Sequence, residues 1–151
     1  MEALLKPVFH DPERAGDPRA ALIALANHLP VLTRPELVFG ISTPARSAGE
    51  GVIEMGYFSL GPEARGLMSD VYAYGWVRDF DWMSWSQTAE GRRMLQDPAA
   101  LEDANEDVLA RVLTVCMREA YWGAEALNDR FRAGVLTRVL ERAAALLCLG
   151  N

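Results

Sequence analysis

The sequence predicts a mainly α-helical domain, α+β in class, of about five to seven helices with a small β-hairpin. Three observations carry that expectation. Apolar residues recur at helical spacing through the C-terminal half, most regularly as Leu109, Val112, Leu113, Cys116 and Ala120. Two short runs rich in β-branched and aromatic residues, Glu36 to Ser42 and Gly51 to Leu60, flank a small, polar, glycine-containing stretch. Between the hairpin and the best-patterned helix stands Gly75-Trp76-Val77-Arg78-Asp79-Phe80-Asp81-Trp82-Met83-Ser84-Trp85, which holds three of the chain's four tryptophans.

Residues 1 to 17, with Pro7, Pro12 and Gly16, read as irregular apart from a short turn at Ala3-Leu4-Leu5. Asp17-Pro18 then supplies a cap followed by proline at the first helical position. Leu22, Ile23, Leu25, Ala26 and Leu29 form the apolar side of that helix, and Pro30 is expected to end it. His28, near its C-terminus, reads as an ordinary surface or half-buried histidine. The segment at about 43–50 has no apolar anchor, so it is expected to be a mobile loop between the two strands. A ribbon of two strands is marginal alone, which requires one face to pack on helices.

Gly61-Pro62 opens the next helix, with Leu67, Met68, Val71, Tyr72 and Tyr74 on its apolar side and Gly75 at its left-handed C′ position. Asp81 is placed as the N-cap of a further helix, accepting from the amides of Met83 or Ser84. Phe80 and Trp85 then occupy the two positions that close a hydrophobic staple. That helix is expected to run to about Leu95, weakened by Gly91. Asp97-Pro98 caps a short helix through Ala104, and Asn105 caps the long one, whose other side carries Arg111, Thr114 and Arg118. Gly123 interrupts it. Ala124, Leu127 and Phe131 mark a short amphipathic helix, broken at Gly134. In the last helix Leu136, Leu140, Ala143 and Leu147 face inward. A second row, Val135, Val139, Ala143 and Leu146, leaves more apolar surface than one buried side needs, which suggests a homodimer through this helix.

A chain of 151 residues is most simply one domain, 1–151, long enough to bury a core without staples. The net charge of -6 argues against nucleic acid as a partner. Ala143 to Leu149, the longest apolar run, is too short to cross a membrane. No basic-then-apolar leader stands at the N-terminus. Cys116 and Cys148 lie in apolar helical patterns and make no disulfide framework, so the expected location is cytoplasmic. Arginine outnumbers lysine fourteen to one, which coding bias explains as well as any ligand would.

Phe80-Asp81-Trp82-Met83-Ser84-Trp85 resembles the Phe-Asp-Trp-x-x-Trp motif of an uncharacterised family of small bacterial proteins, classed as a domain of unknown function. In that family the motif precedes a helix with a Leu-Leu-Thr-then-Arg pattern and a closing Phe-x-x-Gly-hydrophobic segment. Val112-Leu113-Thr114 with Arg118, then Phe131, Gly134, Val135 and Leu140, are similar. The likeness covers about residues 52–147. Where the family has an Asp-Arg-Phe run and a glycine after the arginine, Ala120, Tyr121, Trp122 and Glu125 stand here. The resemblance implies a fold and brings no activity with it.

No set of residues reads as catalytic or as a metal site, and no cofactor is implied. Asp79 and Asp81 lack further ligands. Asp97, Glu102, Asp103, Glu106 and Asp107 surround helix N-termini, where negative charge is stabilising. Both histidines fall in the first 28 residues, and neither a serine-centred motif nor a phosphate loop is present. Two function classes follow. One is a non-enzymatic protein-interaction or regulatory module, with a protein partner or a second copy of itself. The other is a small-ligand-binding protein or enzyme with an aromatic pocket of Trp82, Trp85, Tyr121 and Trp122, in which Arg118 orients an anionic group. In either class Phe80 and Asp81 are structural, and Arg118 reads first as the partner of Asp79 or Asp81 and only second as a ligand-binding residue.

Overall fold

The computed structural model describes residues 17–149. Among them are eight α-helices, one 3-10 helix and four short strands. Chain order is α1 (Pro18–Ala26), α2 (Leu29–Leu32), β1 (Gly40–Thr43), β2 (Arg46–Gly49), β3 (Val52–Glu54), β4 (Tyr57–Leu60) and α3 (Pro62–Ala73). Then come α4 (Trp82–Gln87), α5 (Ala89–Gln96), the 3-10 turn Pro98–Asp103, α6 (Glu106–Trp122), α7 (Ala124–Arg132) and α8 (Val135–Leu149). Apart from Asp17, the irregular segment expected at 1–17 lies outside the described residues.

Helix α6 is the centre of the molecule. Every residue from Leu109 to Met117 except Arg111 is buried, so α6 is covered on nearly all sides of its middle turns. Helix α7 packs back along it, and α4 and α5 cross it. Thr114, expected on the polar side with Arg111 and Arg118, is wholly buried, because the segment leading into α4 lies across it. Helix α8 forms the second core element, packed by α1, α2, α7 and the 3-10 turn. Its rows Val135, Val139, Ala143 and Leu136, Leu140 are both buried within one chain. The apolar surface expected to carry a dimer through this helix is therefore already occupied by α1 and the 3-10 turn. Cys116 is buried as expected, whereas Cys148 is exposed.

The helix count exceeds expectation for local reasons. Pro30 does not end a helix; it sits in the first turn of α2, where its missing N–H costs nothing. Chain direction changes at Asn27-His28, and His28 Nε2 meets Asp70 Oδ2 of α3 at 2.6 Å. The helix expected from Trp82 to Leu95 is broken at Thr88, which ends α4 and caps α5 through Gly91 N at 3.0 Å. Gly91 is not a weak point there. A Cβ at Gly91 would run into the Trp85 carbonyl, so glycine is what lets α5 fold back on α4.

The hairpin is one antiparallel ribbon in two parts. β1 pairs with β4 (Gly40 opposite Leu60, Thr43 opposite Tyr57), and β2 with β3 (Arg46 opposite Glu54). The segment expected as a loop at 43–50 is thus largely β2, its register shifted between Ser47 and Gly49. Gly51 turns the tip with φ 66°. Phe39 anchors the ribbon's base by stacking on Phe131 of α7, with ring centroids 4.3 Å apart. Phe58 and Leu60 face inward, while Ile41, Val52, Ile53, Met55 and Tyr57 remain exposed.

Candidate functional site

The turn out of α3 aims the tryptophan segment. Gly75 takes φ 77°, its N–H donates to Tyr72 O, and the Trp76 N–H donates to Val71 O, a Schellman motif. Trp76 is thereby driven into the core, where its Nε1–H donates to Ala21 O at 3.2 Å. Thr114 then holds the strand-like exit: the Arg78 N–H donates to Thr114 Oγ1 at 2.9 Å. That hydroxyl lies 2.8 Å from Ala110 O and 3.3 Å from Trp76 O.

Asp81 caps α4 as expected, accepting from Ser84 N at 3.1 Å and Ser84 Oγ at 2.7 Å. Those two bonds hold its carboxyl below the usual carboxylate range. Phe80 and Trp85 close the staple edge-to-face, centroids 6.2 Å apart. Trp85 is buried, and its Nε1–H donates to Glu90 Oε1 at 2.9 Å. The cation on this aromatic pair is Arg111, 5.0 Å from the Phe80 centroid and paired with Asp107 at 3.0 Å.

One helical turn away, Trp82 and Met83 of α4 face Trp122, the last residue of α6, across an open groove of about 690 Å³. Ala126 of α7 and Ala133, which caps its C-terminus, complete the apolar lining, and Ser86, Gln87, Glu119, Asp129 and Arg130 the polar lining. Trp122 is 80 % exposed and Met83 64 %. Trp122 rests edge-on against Tyr121, centroids 5.0 Å apart. Arg130 is clamped by Glu119, with Nε on Oε1 at 3.0 Å and Nη2 on Oε2 at 2.9 Å, and its Nη1 donates to Leu95 O. These bonds raise the guanidinium's affinity for its proton further.

The five residues expected to share a pocket are thus divided. Trp82 and Trp122 line the groove; Trp85 is core, and Tyr121 lies behind Trp122. Arg118 lines neither groove nor staple. It sits beside Tyr72, whose hydroxyl burial pushes up in pKa and the guanidinium partly restores. Neither Asp79 nor Asp81 forms an ion pair with Arg118 among the described residues. The arginine of the groove, Arg130, belongs to a run Asp129-Arg130-Phe131 followed by Gly134, which the apolar spacing of α7 does not single out. The Cys116 thiol is pushed up to about 12 by burial, which makes it no nucleophile. Among the described residues no group of three or more His, Cys, Asp or Glu is placed to hold a metal ion. No helix there is long and apolar enough to cross a membrane.

Fold and site together define a mainly helical domain with a projecting β-ribbon and an aromatic groove at one end of its central helix. No curated protein and no solved structure matches the chain significantly. A family model does: it matches residues 18–147, and the chain belongs to this family of unknown function, DUF6508. The match runs from α1 through the hairpin and the tryptophan segment into α8.

Proposed function

We propose that this chain is a bacterial cytoplasmic protein-interaction module that works without catalysis and self-associates through its β-ribbon. The observation that carries the reading is the ribbon's surface. Ile41, Val52, Ile53 and Tyr57 stand exposed on the paired strands and Met55 on the link between β3 and β4, Ile53 at 68 % and Met55 at 79 %. Five large apolar side chains left in solvent on one ribbon, on an otherwise charged molecule, support a contact surface. The outer edges of β2 and β3 carry backbone donors and acceptors with no strand beside them among the described residues. Charge supports a second copy as the partner. The chain carries -6 overall, yet residues 38–60 hold only Arg46, Glu50 and Glu54, and Arg46 is paired with Glu54. Little like charge therefore opposes the meeting of two ribbons. The free thiols of Cys116 and Cys148 fit a reducing compartment.

Sedimentation velocity across the micromolar range tests this. The wild-type chain is expected to show a concentration-dependent dimer, and Ile41→Ser/Ile53→Ser a monomer with an unchanged circular dichroism spectrum. A wild-type monomer throughout overturns the reading. A second reading, small-ligand binding, is favoured by the groove itself, whose size falls in the range of small-molecule sites.

A further inference from the structure

We infer that the groove between α4, α6 and α7 binds an organic cation of the alkylammonium class, against the faces of Trp82 and Trp122 and the carboxylate of Asp129. This rests on the ligand-binding reading of the groove and is independent of the ribbon.

Two features set the sign of the ligand's charge. The only cation lining the groove among the described residues, Arg130, is already engaged, with three of its five N–H groups donated within the chain. Its Nε and Nη2 are both on Glu119, and Nη1 is on Leu95 O. An incoming anion meets only the two remaining N–H groups and has to share the guanidinium with the Glu119 carboxylate, a poor arrangement in an acidic chain. Against that one guanidinium the groove presents two carboxylates, Glu119 and Asp129. Glu119 is matched by Arg130, so Asp129 supplies the excess negative charge. Arg92 lies past Ser86 and Gln87 in a smaller depression and bonds to Gln87 Oε1, away from the Asp129 end.

The apolar lining suits the same ligand. Indole faces carry negative electrostatic potential and attract alkylammonium groups, and the Met83 thioether is polarizable. Trp76 and Trp85 are fixed in the core by hydrogen bonds from their indole N–H groups. Trp82 and Trp122 have no acceptor for theirs among the described residues, and their rings border open volume. Thus two of the chain's four indoles pack the interior and two line the groove.

Choline is the probe, compared with its uncharged dimethylbutanol isostere, in which carbon replaces nitrogen, at constant ionic strength. Two-dimensional NMR of the indole N–H groups resolves the four tryptophans. Choline is expected to shift the Trp82 and Trp122 signals saturably and leave Trp76 and Trp85 in place. The isostere should bind about two- to fivefold more weakly, the free energy of a cation–π contact at a solvent-exposed site. Asp129→Asn should weaken choline severalfold without changing the isostere's affinity, and Ile53→Ser in the ribbon should change neither. Equal affinity for the two probes overturns the cation assignment while leaving a ligand groove. A shift with acetate instead reverses the sign of the ligand. Unmoved Trp82 and Trp122 signals with every probe remove the ligand-binding reading as well.

Discussion

Replacing Thr114 by valine tests how the tryptophan segment is held to the central helix. Valine keeps the β-branch, and α6 keeps its helical bonds. The change removes the acceptor of the Arg78 N–H at 2.9 Å and the hydroxyl that lies between Ala110 O and Trp76 O. An unsatisfied buried donor costs about 1–3 kcal/mol. Thr114 is wholly buried but Arg78 is exposed, so water can reach the orphaned amide from one side. The lower part of that range, about 1–2 kcal/mol, is therefore expected, equivalent to a fall of roughly 3–8 °C in Tm for a chain of this length. Urea and thermal unfolding measure the loss, and amide exchange locates it. Arg78 should exchange faster in Thr114→Val and stay protected in Thr114→Ser, which keeps the hydroxyl. A valine variant with wild-type Tm and a protected Arg78 amide would refute the reasoning.

Further outcomes follow from the same contacts. Asp81→Ala should destabilise α4 and Asp81→Asn clearly less, since an amide oxygen still caps Ser84 N. Because the folded carboxyl is held low, its contribution is present above the usual carboxylate range and lost as pH falls through its folded pKa, which urea melts at falling pH should show. Gly91→Ala should lower the urea midpoint although alanine favours helix by about 1 kcal/mol, because its Cβ meets the Trp85 carbonyl. Arg130→Met should lose about 1.5–3 kcal/mol in urea melts by stranding the half-buried Glu119, whereas Arg118→Met should be nearly neutral. In the monomer, amides of β2 and β3 should exchange quickly and trypsin should cut at Arg46, since a two-stranded ribbon is marginal without a partner.

What was legible in the sequence was short in range. The Asp81 cap, the Phe80–Trp85 staple, the Gly75 turn and the Asn105 cap each join residues within about one and a half turns of helix, so spacing alone specifies them. That Arg111 meets the aromatic segment, where Arg118 was expected, is not of that kind. They are seven residues apart, nearly on one stripe of α6, and about 10 Å apart along its axis. Which of them meets Phe80 depends on where α4 crosses α6, which helical periodicity does not contain. Thr114 lay on that same polar stripe and is buried for the same reason: a distant segment covers it. The groove joins Trp82, Trp122 and Asp129 from three helices, so no local pattern announces it. In α8 the two apolar rows were visible, but not that α1 and the 3-10 turn cover both.

If two copies of this chain associate as proposed, they meet at the ribbon and not at α8. The most direct measurement mixes isotope-labelled protein with unlabelled protein carrying a nitroxide at position 47, as Ser47→Cys/Cys148→Ser. Intermolecular broadening is expected at amides of residues 41–57 and nowhere along Val135–Leu149. Broadening centred on α8, or none at concentrations where sedimentation finds a dimer, would contradict it.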